Sequence, residues 1–296
     1  MELNTTPQHA RLMGLIDAAV SPPKVKPLLE RAGVPYLSVF AGLPEEDLGP
    51  ASLFLFCVSD KEADWFRELE RLDLQSPCLS LLWSRAEMDA IVTHLQAFLF
   101  ADIGDNMSAM VRFFDPRNTE AIFSIWGEQL CAMFMAPFEQ WMCRGRNKDW
   151  LHIQNQNDSE ASPRICRSVV VQLEQHDVDT LSAHTEPDEI LAALIEAGDV
   201  GGERTYLDRF EDFIPRYLRA VQWGIREPGD RLSFCQHSYM YAENFDKHPV
   251  VNDLLTQCQQ SDEPFGIAIT RVPADVWEEI KRMSARDAAI EAQSVT

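Results

Sequence analysis

Residues 51–84 read ASLFLFCVSDKEADWFRELERLDLQSPCLSLLWS, and this stretch decides the fold class. It begins with a continuous apolar run of strand length, ASLFLFCVS, and ends with a second one, PCLSLLWS. Runs of this kind predict strands that are buried on both faces of a sheet. Between the two runs, apolar residues recur at helical spacing: Trp65, Phe66, Leu69 and Leu72. The stretch therefore predicts a strand–helix–strand unit whose helix packs on the sheet.

Two four-residue patterns predict where helices begin. Ser59-Asp60-Lys61-Glu62 and Ser84-Arg85-Ala86-Glu87 each place a serine three residues before a glutamate. This is the capping-box arrangement, in which each of the two side chains accepts a hydrogen bond from the other residue's backbone amide. After the second pattern, the apolar residues of 88–99 form an amphipathic stripe that predicts a helix. His94 lies off this stripe and is predicted to be solvated.

The alternation of strands and helices extends from residue 11 to about residue 143, and then the composition changes. We predict an α/β N-terminal lobe, a sheet with packed helices, over residues 1–144. The segment 145–164 is rich in Asn, Gln and Ser and predicts a polar linker. Residues 165–296 are more acidic and show mainly helical periodicity. They predict a mainly α-helical, variable C-terminal lobe.

The charge of the chain limits the possible partners. Of its 296 residues, 26 are Lys or Arg and 47 are Asp or Glu, which gives a net charge of −21. Nucleic acid and anionic membrane surfaces need a positive field, so we expect neither as a partner. A basic protein partner fits this charge better, although solubility alone would also account for it.

The cysteines and the N-terminus indicate a compartment. The seven cysteines are scattered, and no two have Cys-x-x-Cys spacing, which is typical of a reducing environment rather than a disulfide framework. Residues 1–20 make a poor signal peptide, because Glu2 is acidic and Asp17 breaks the apolar run. No stretch approaches the ~18 apolar residues of a membrane span. We therefore expect a cytoplasmic protein without membrane insertion.

Motifs for catalysis and for cofactors give little support to an enzyme. No glycine-rich nucleotide loop, Gly-x-Ser-x-Gly or His-Glu-x-x-His pattern occurs. Cys235 and His237 are a candidate hydrolase pair, but closeness in sequence does not bring a base to a thiol in space. His237, Asp246 and His248 could be considered as metal ligands, although their spacing resembles no tight ligand set. We expect no catalytic residues, no metal and no cofactor.

Residues 110–118 read MVRFFDPRN and predict a strand that ends at an Asp-Pro pair. In a strand, Arg112 would project from a sheet face and need a carboxylate, for which Asp115 and Asp17 are candidates. Such a pair makes the segment a structural corner, while an exposed Arg117 leaves a binding role open. If the partner carboxylate is buried, we expect Arg112→Ala to cost roughly 3–5 kcal/mol.

The order of several motifs resembles the type VI secretion effector-adaptor family, the Tap- or Tec-type chaperones that load toxic effectors onto the VgrG spike. The resemblance covers about residues 11–143, and its most specific part is RFFDPR at 112–117. The motifs, in chain order, are GLIDAA, PYLSVFAG, LGPASLFLF, WSRAEMDAIVTHLQAFL, RFFDPR and PFEQW. The chain departs mildly from the family's usual pattern in two places. It has Ala18-Ala19 where the family commonly has Gly-Ala, and Ala51 after Pro50 where the family often has Tyr; both departures concern details of packing.

The resemblance implies a non-enzymatic adaptor that binds one effector protein, delivers it to a VgrG spike protein and is not secreted with it. The family's motif positions correspond here to Asp17, Trp83, Arg112, Asp115, Pro116 and Arg117, and the resemblance assigns no catalytic role to any of them. Two other functions compete: a cytoplasmic hydrolase that uses Cys235 and His237, and an immunity-type protein that binds and neutralises a toxin.

Overall fold

The structure is a computed structural model, and it describes residues 10–146, 149–155, 163–261 and 263–294, with side chains as far as residue 286. The chain forms two compact units, Met1–His184 and Thr185–Thr296. We call them the first and the second unit and describe each by itself.

The described part of the first unit contains nine strands in two sheets. They are β1 (Arg11–Asp17), β2 (Tyr36–Ser38), β3 (Leu53–Cys57), β4 (Leu79–Ser84), β5 (Phe100–Asp102), β6 (Ser108–Met110), β7 (Phe138–Cys143), β8 (Leu151–Gln154) and β9 (Val171–Gln172). The larger sheet has six strands in the order β2-β3-β1-β4-β7-β8, and every neighbouring pair in it is antiparallel. The smaller sheet has the order β6-β5-β9, in which β5 and β9 run parallel.

Among the described residues, four α-helices lie between strands of the first unit, and helices supply the regular elements of the second. The first unit contains α1 (Pro22–Ala32), α2 (Asp64–Gln75), α3 (Met88–Gln96) and α4 (Thr119–Met135). The helix α5 (Gln175–Ala197) includes the division between the units, and α6 (Tyr206–Gln222), α7 (Pro228–Met240), α8 (Pro249–Ser261), α9 (Phe265–Ala268) and α10 (Ala274–Ser294) follow it.

The larger sheet is covered by helices on both faces. Met13 and Leu15 of β1 face a core that includes residues of α3 and α4, whereas Ile16 faces a second core with α1 and α2. Because successive side chains of a strand point to opposite faces, a strand between two cores must be apolar at every position. This explains the continuous apolar runs of β3 and β4 and confirms the predicted sheet with packed helices.

The second unit is built around two apolar clusters. One includes Phe234 and Phe265, and the other includes Leu194 and Phe213; all four side chains are almost fully buried. The regular elements among the described residues of this unit are all helices, so the predicted mainly helical C-terminal region is confirmed. In the parts of the chain that the structure describes, no helix has both the length and the apolar character needed to cross a membrane.

The division of the chain differs from the predicted linker at 145–164. The compact units divide between residues 184 and 185, and residues 151–154 of the predicted linker form β8 in the larger sheet. Residues 156–162 of that segment lie outside the described residues. Strand pairing with β7 gives this polar stretch a place in the fold that its composition did not indicate.

The predicted strand at 110–118 is wrong beyond Met110. The ladder ends where Val111 N donates to Leu99 O at 2.7 Å. The chain then makes consecutive turns, in which Asp115 N donates to Arg112 O at 3.1 Å and Asn118 N donates to Asp115 O at 2.9 Å. The physical reason is local competition, because an aspartate followed by proline offers the backbone turn hydrogen bonds in place of a strand partner.

Both predicted capping boxes are also wrong. Helix α2 begins at Asp64 without a side-chain cap, and Asp60 Oδ1 accepts from Glu62 N at 2.8 Å, in a local turn. Helix α3 begins at Met88, again without a side-chain cap. Ser84 instead ends β4, where its Oγ donates to Pro137 O at 2.6 Å and accepts from Ala86 N at 3.0 Å.

Candidate functional site

The end of β1 places a buried carboxylate at the centre of the candidate site. Asp17 is 6% exposed, and its Oδ1 accepts a hydrogen bond from Ala19 N at 3.0 Å. This bond caps the short 3-10 helix that follows the strand. Arg112 Nη2 lies 3.1 Å from Asp17 Oδ2, across 95 residues of sequence. The same nitrogen lies 3.8 Å from Asp115 Oδ2, so both carboxylates that the sequence offered as partners contact Arg112.

Asp115 has a second and closer arginine. Arg117 Nε donates to Asp115 Oδ1 at 2.9 Å, and Arg117 Nη2 donates to Asp115 Oδ2 at 2.7 Å. The backbone amide of Arg117 also donates to Asp115 Oδ1, at 3.1 Å. This two-pronged arrangement is the strong form of an arginine–carboxylate pair. Asp17, Arg112, Asp115 and Arg117, with Pro116 between the last two, form what we call the charged corner.

A glycine lets the exit of strand β7 pass close to this corner. Gly145 has a φ of +56°, and a Cβ on it would lie 2.7 Å from the carbonyl oxygen of Pro116. Both the backbone conformation and the close approach therefore require glycine at this position. Pro116 itself is buried.

His184 and Arg146 attach further segments to the corner. His184 Nε2 lies 2.9 Å from Arg117 O, so Nε2 carries the proton and donates it to this carbonyl. Arg146 Nη2 donates to His184 O at 2.6 Å. The corner thus joins the end of β1, the turns of 111–118, the exit of β7 and the first half of α5 within one unit. We regard it as a brace.

Burial is the main influence on the proton affinity of Asp17. It raises the pKa of Asp17 above the ordinary value of 3.8, while the amide of Ala19 and the guanidinium of Arg112 act in the opposite direction. Asp115 also raises the pKa of Asp17, because two carboxylates near one arginine repel each other. Keeping Asp17 charged in the corner therefore costs free energy, which other interactions of the fold must offset.

A second buried carboxylate, Asp73, is absent from the residues that the sequence singled out. It lies at the end of α2 and accepts from Cys78 N and Leu79 N at 2.9 Å each, and its Oδ2 lies 3.5 Å from Arg144 Nη1. Burial raises the pKa of Asp73 from 3.8 to about 6. A signal for it was present, because Asp73 occupies the same helical face as the buried Phe66 and Leu69.

Trp83 does not belong to the charged corner. It lies in β4, where it pairs with Leu12, five residues before Asp17 on β1 and therefore roughly 17 Å away along the strand. The ammonium nitrogen of Lys61 lies 4.7 Å from the centre of a Trp83 ring, which is a cation–π contact. The structure brings together the other five of the six motif positions and leaves Trp83 apart from them.

His94 was predicted to be solvated, and this prediction is wrong. Its side chain is fully buried among Phe98, Phe134 and Phe138. Its Nε2 donates to Phe134 O at 2.8 Å, and its Nδ1 accepts from Cys166 N at 3.0 Å. Burial lowers the pKa of His94 to about 4, so it is a neutral structural bridge. The helical stripe did not reveal this, because the two hydrogen-bond partners of His94 lie at the end of α4 and in the segment after β8.

The candidate hydrolase pair is not arranged as a nucleophile and a base. Cys235 is fully buried in the cluster that contains Phe213, and burial raises the pKa of its thiol to about 12. His237 packs against the rings of Tyr241 and Trp277, and its Nδ1 donates to Ser233 O at 2.7 Å. A catalytic cysteine needs an accessible thiolate and a base within hydrogen-bond reach.

The residues considered as metal ligands are engaged elsewhere. Asp246 accepts from Trp223 Nε1 at 2.9 Å and lies 3.4 Å from Arg219 Nη2, while His248 Nε2 lies 3.9 Å from Glu279 Oε2. Within the described ranges, no group of three or more His, Cys, Asp or Glu side chains is arranged to hold a metal ion.

Comparison with known protein families gives one match. Residues 14–132 match a family described as a domain of unknown function, DUF4123. This domain is associated with the adaptor proteins of type VI secretion effectors. All six motif positions fall within the matched residues, and the second unit lies outside them. Neither the curated proteins nor the solved structures yielded a match to the chain.

Proposed function

We propose that this protein is a non-enzymatic, cytoplasmic adaptor that binds a type VI secretion effector and promotes its loading onto the VgrG spike. The observation that carries the proposal is the match of residues 14–132 to a domain associated with such adaptors. The geometry supports it, because the charged side chains of the corner bind one another and join segments of the fold. A site that transforms a substrate would instead direct such groups towards a cleft.

The charge of the chain supports a protein partner. A net charge of −21 disfavours nucleic acid and favours a partner surface with basic character. Electrostatic complementarity of this kind acts mainly on specificity and on the association rate. The acidic second unit is then a reasonable place for recognition of the effector.

The test is co-expression of the tagged full chain with an effector and a VgrG protein encoded by reading frames next to its own. We expect one complex of all three proteins on size exclusion, and we expect less effector to bind VgrG when the chain is left out. A VgrG protein from an unrelated cluster is the matched control and should not be retained. Effector loading that is the same with and without the chain would contradict the proposal.

The same preparation separates the competing functions. An adaptor leaves the effector's toxic activity intact, so cells that express both proteins should still be killed when the toxin reaches its target. An immunity protein would protect them. A hydrolase would show a turnover that Cys235→Ala abolishes while binding is kept, which the buried thiol makes the least favoured outcome.

A further inference from the structure

The strand β8 forms one edge of the six-stranded sheet. It pairs with β7 through Gln140↔Gln154, Trp141↔Ile153, Met142↔His152 and Cys143↔Leu151. Among the described residues, β7 is its only strand partner. With four residues, β8 is longer than β2, the three-residue strand at the other edge of this sheet.

The register shows which backbone groups of β8 point away from the sheet. Asn155 N donates to Glu139 O at 3.1 Å, which makes this a hydrogen-bonded pair of the antiparallel ladder. Such pairs alternate with non-bonded pairs, so Leu151 and Ile153 exchange their hydrogen bonds with β7. The amides and carbonyls of His152 and Gln154 therefore point outwards. An added strand could make about four backbone hydrogen bonds with these two residues.

The side chains of β8 leave this edge open. Leu151 and Ile153 are half-buried and pack against the core, whereas His152 and Gln154 are exposed and carry no acidic group. Natural proteins usually protect an edge with proline, a charged side chain, a bulge or a covering loop. Residues 151–155, LHIQN, contain no proline and no lysine, arginine or acidic residue.

At the opposite edge, local contacts engage the end of β2 and the turn that follows it. Ser38 O accepts from Ala41 N at 3.3 Å, and Ser38 Oγ accepts from Phe40 N at 3.1 Å. The side chain of Gln96 donates to the carbonyls of Val39 and Ala41, at 2.9 Å each. The end of β2 is therefore held by local contacts, and β8 is the longer edge of this sheet.

The charge of the chain argues against a second copy as the occupant of this edge. Two copies would each bring a net charge of −21, and this repulsion opposes edge-to-edge pairing of identical chains. A different polypeptide, neutral or basic along this edge, meets no such repulsion.

We propose that β8 binds an extended segment of the effector as an additional strand of the sheet. This inference rests on the proposed adaptor function and names the chemistry of the contact. The segment would be about four residues long and free of proline where it pairs. Its alternate side chains, on the face shared with Leu151 and Ile153, would be apolar and extend the core. Backbone hydrogen bonds supply most of the recognition.

The test uses proline and alanine variants of the two outward-facing residues in the full chain. His152→Pro and Gln154→Pro each remove an outward amide that the native sheet does not use, so β8 should keep its place as an edge strand. His152→Ala and Gln154→Ala change the same side chains but keep the amides. We expect each proline variant to bind the co-expressed effector about tenfold more weakly than its alanine counterpart, as measured by calorimetry.

Hydrogen exchange of the unmodified chain gives a second measurement that does not depend on the folding of a variant. The amides of His152 and Gln154 should exchange more slowly when the effector is bound. If the complex forms but these amides gain no protection, or proline and alanine variants bind equally well, this inference is overturned and the adaptor function stands. If no complex with the effector forms, both fail. Protection that appears in a dimer of the chain alone would identify a second copy as the occupant and also overturn the inference.

Discussion

Arg112 contacts two buried carboxylates, Asp17 and Asp115, and only one of them depends on it for its charge partner. Asp115 is held by Arg117 through two side-chain hydrogen bonds and by the Arg117 amide, so it keeps partners if Arg112 is lost. Asp17 has two hydrogen-bond donors in the corner, Arg112 and the amide of Ala19. If Arg112 is lost, only the amide of Ala19 remains. The side chain of Arg112 is 51% exposed, so water screens its charge and lowers the value of its ion pairs. Asp17 is therefore the residue that depends on Arg112.

We expect Arg112→Ala to lower the free energy of unfolding by about 1–3 kcal/mol, because it leaves the buried Asp17 carboxylate without a cation. The partner carboxylate is buried, as the expectation from the sequence required, but the guanidinium is half exposed, so water screens the pair and the expected cost is smaller. Urea unfolding measures the change. Arg67→Ala is the control, because its ion pair with Glu62 is exposed and should contribute close to nothing. An unchanged stability together with lost effector binding would make Arg112 an interface residue instead of a brace.

Asp73 gives a prediction for the pH dependence of stability. Its folded pKa of about 6 lies above the unfolded value of 3.8, because burial favours the neutral acid. The stability that protonation contributes is therefore fully present below pH 3.8 and is lost as the pH rises through 6. Relative to Asp73→Asn, the wild-type chain should lose on the order of 2 kcal/mol between pH 4 and pH 7.

Chemical unfolding at a series of pH values tests this difference. His94 provides a comparison of opposite sign, because its folded pKa of about 4 lies below the ordinary 6.5. The stability that His94 contributes is lost as the pH falls from 6.5 towards 4. A difference between wild type and Asp73→Asn that stays constant with pH would show that Asp73 does not take up a proton in the folded state.

At the scale of elements, one aromatic ring lies over the ladder between β1 and β3. Gly14 lies opposite Phe56 in the antiparallel ladder, and the Phe56 ring covers the glycine. A Cβ on Gly14 would overlap the ring at its Cζ atom. Phe56 is fully buried and contacts Trp65 edge-on, so the ring has little room to move. The glycine thus makes space for the side chain that closes one core of the sheet.

We expect Gly14→Ala to destabilise the chain by about 1–3 kcal/mol through overpacking. The loss should be partly recovered in the background Phe56→Leu, whose smaller side chain can yield to the added methyl group. Thermal unfolding of the four chains of this double-mutant cycle gives the coupling. If the two substitutions prove additive, the contact between Gly14 and Phe56 is not the cause of the loss.

The elements also show how far the sequence alone can lead. The runs that became β3 and β4 were readable because burial on both faces leaves a continuous apolar signal. The segment 110–118 also contains strand-forming residues but becomes turns, because Asp115 satisfies local amides and the ladder ends at Val111. The partners of Arg112 were predictable from charge and burial. Those of His94 were not, since Phe134 and Cys166 are brought near it only by the fold.

For the whole molecule, the net charge is the property that composition expresses most directly. A chain at −21 creates a long-range field that favours encounter with a basic partner and opposes self-association. The division into units was not readable from composition, because the polar stretch at 145–164 enters the sheet through β8 and the units divide at residue 184. Polar composition indicates only that a segment is exposed to water. It does not distinguish a linker from an edge strand, because both are exposed.

This field makes a prediction about how the chain would meet the proposed effector. If the complementary charges lie outside the binding interface, they raise the association rate and add little to the stability of the bound complex. Raising the salt from about 50 to about 500 mM shortens the screening length from roughly 14 to roughly 4 Å, so the association rate should fall at least several-fold while the dissociation rate changes little. Stopped-flow mixing of the chain with the purified effector measures both rates.

Substituting Glu278 and Glu279, neighbouring acidic residues on the exposed side of α10, by glutamine should weaken this salt dependence. An association rate that is independent of salt would mean that the acidic surface serves solubility alone and that recognition rests on short-range contacts.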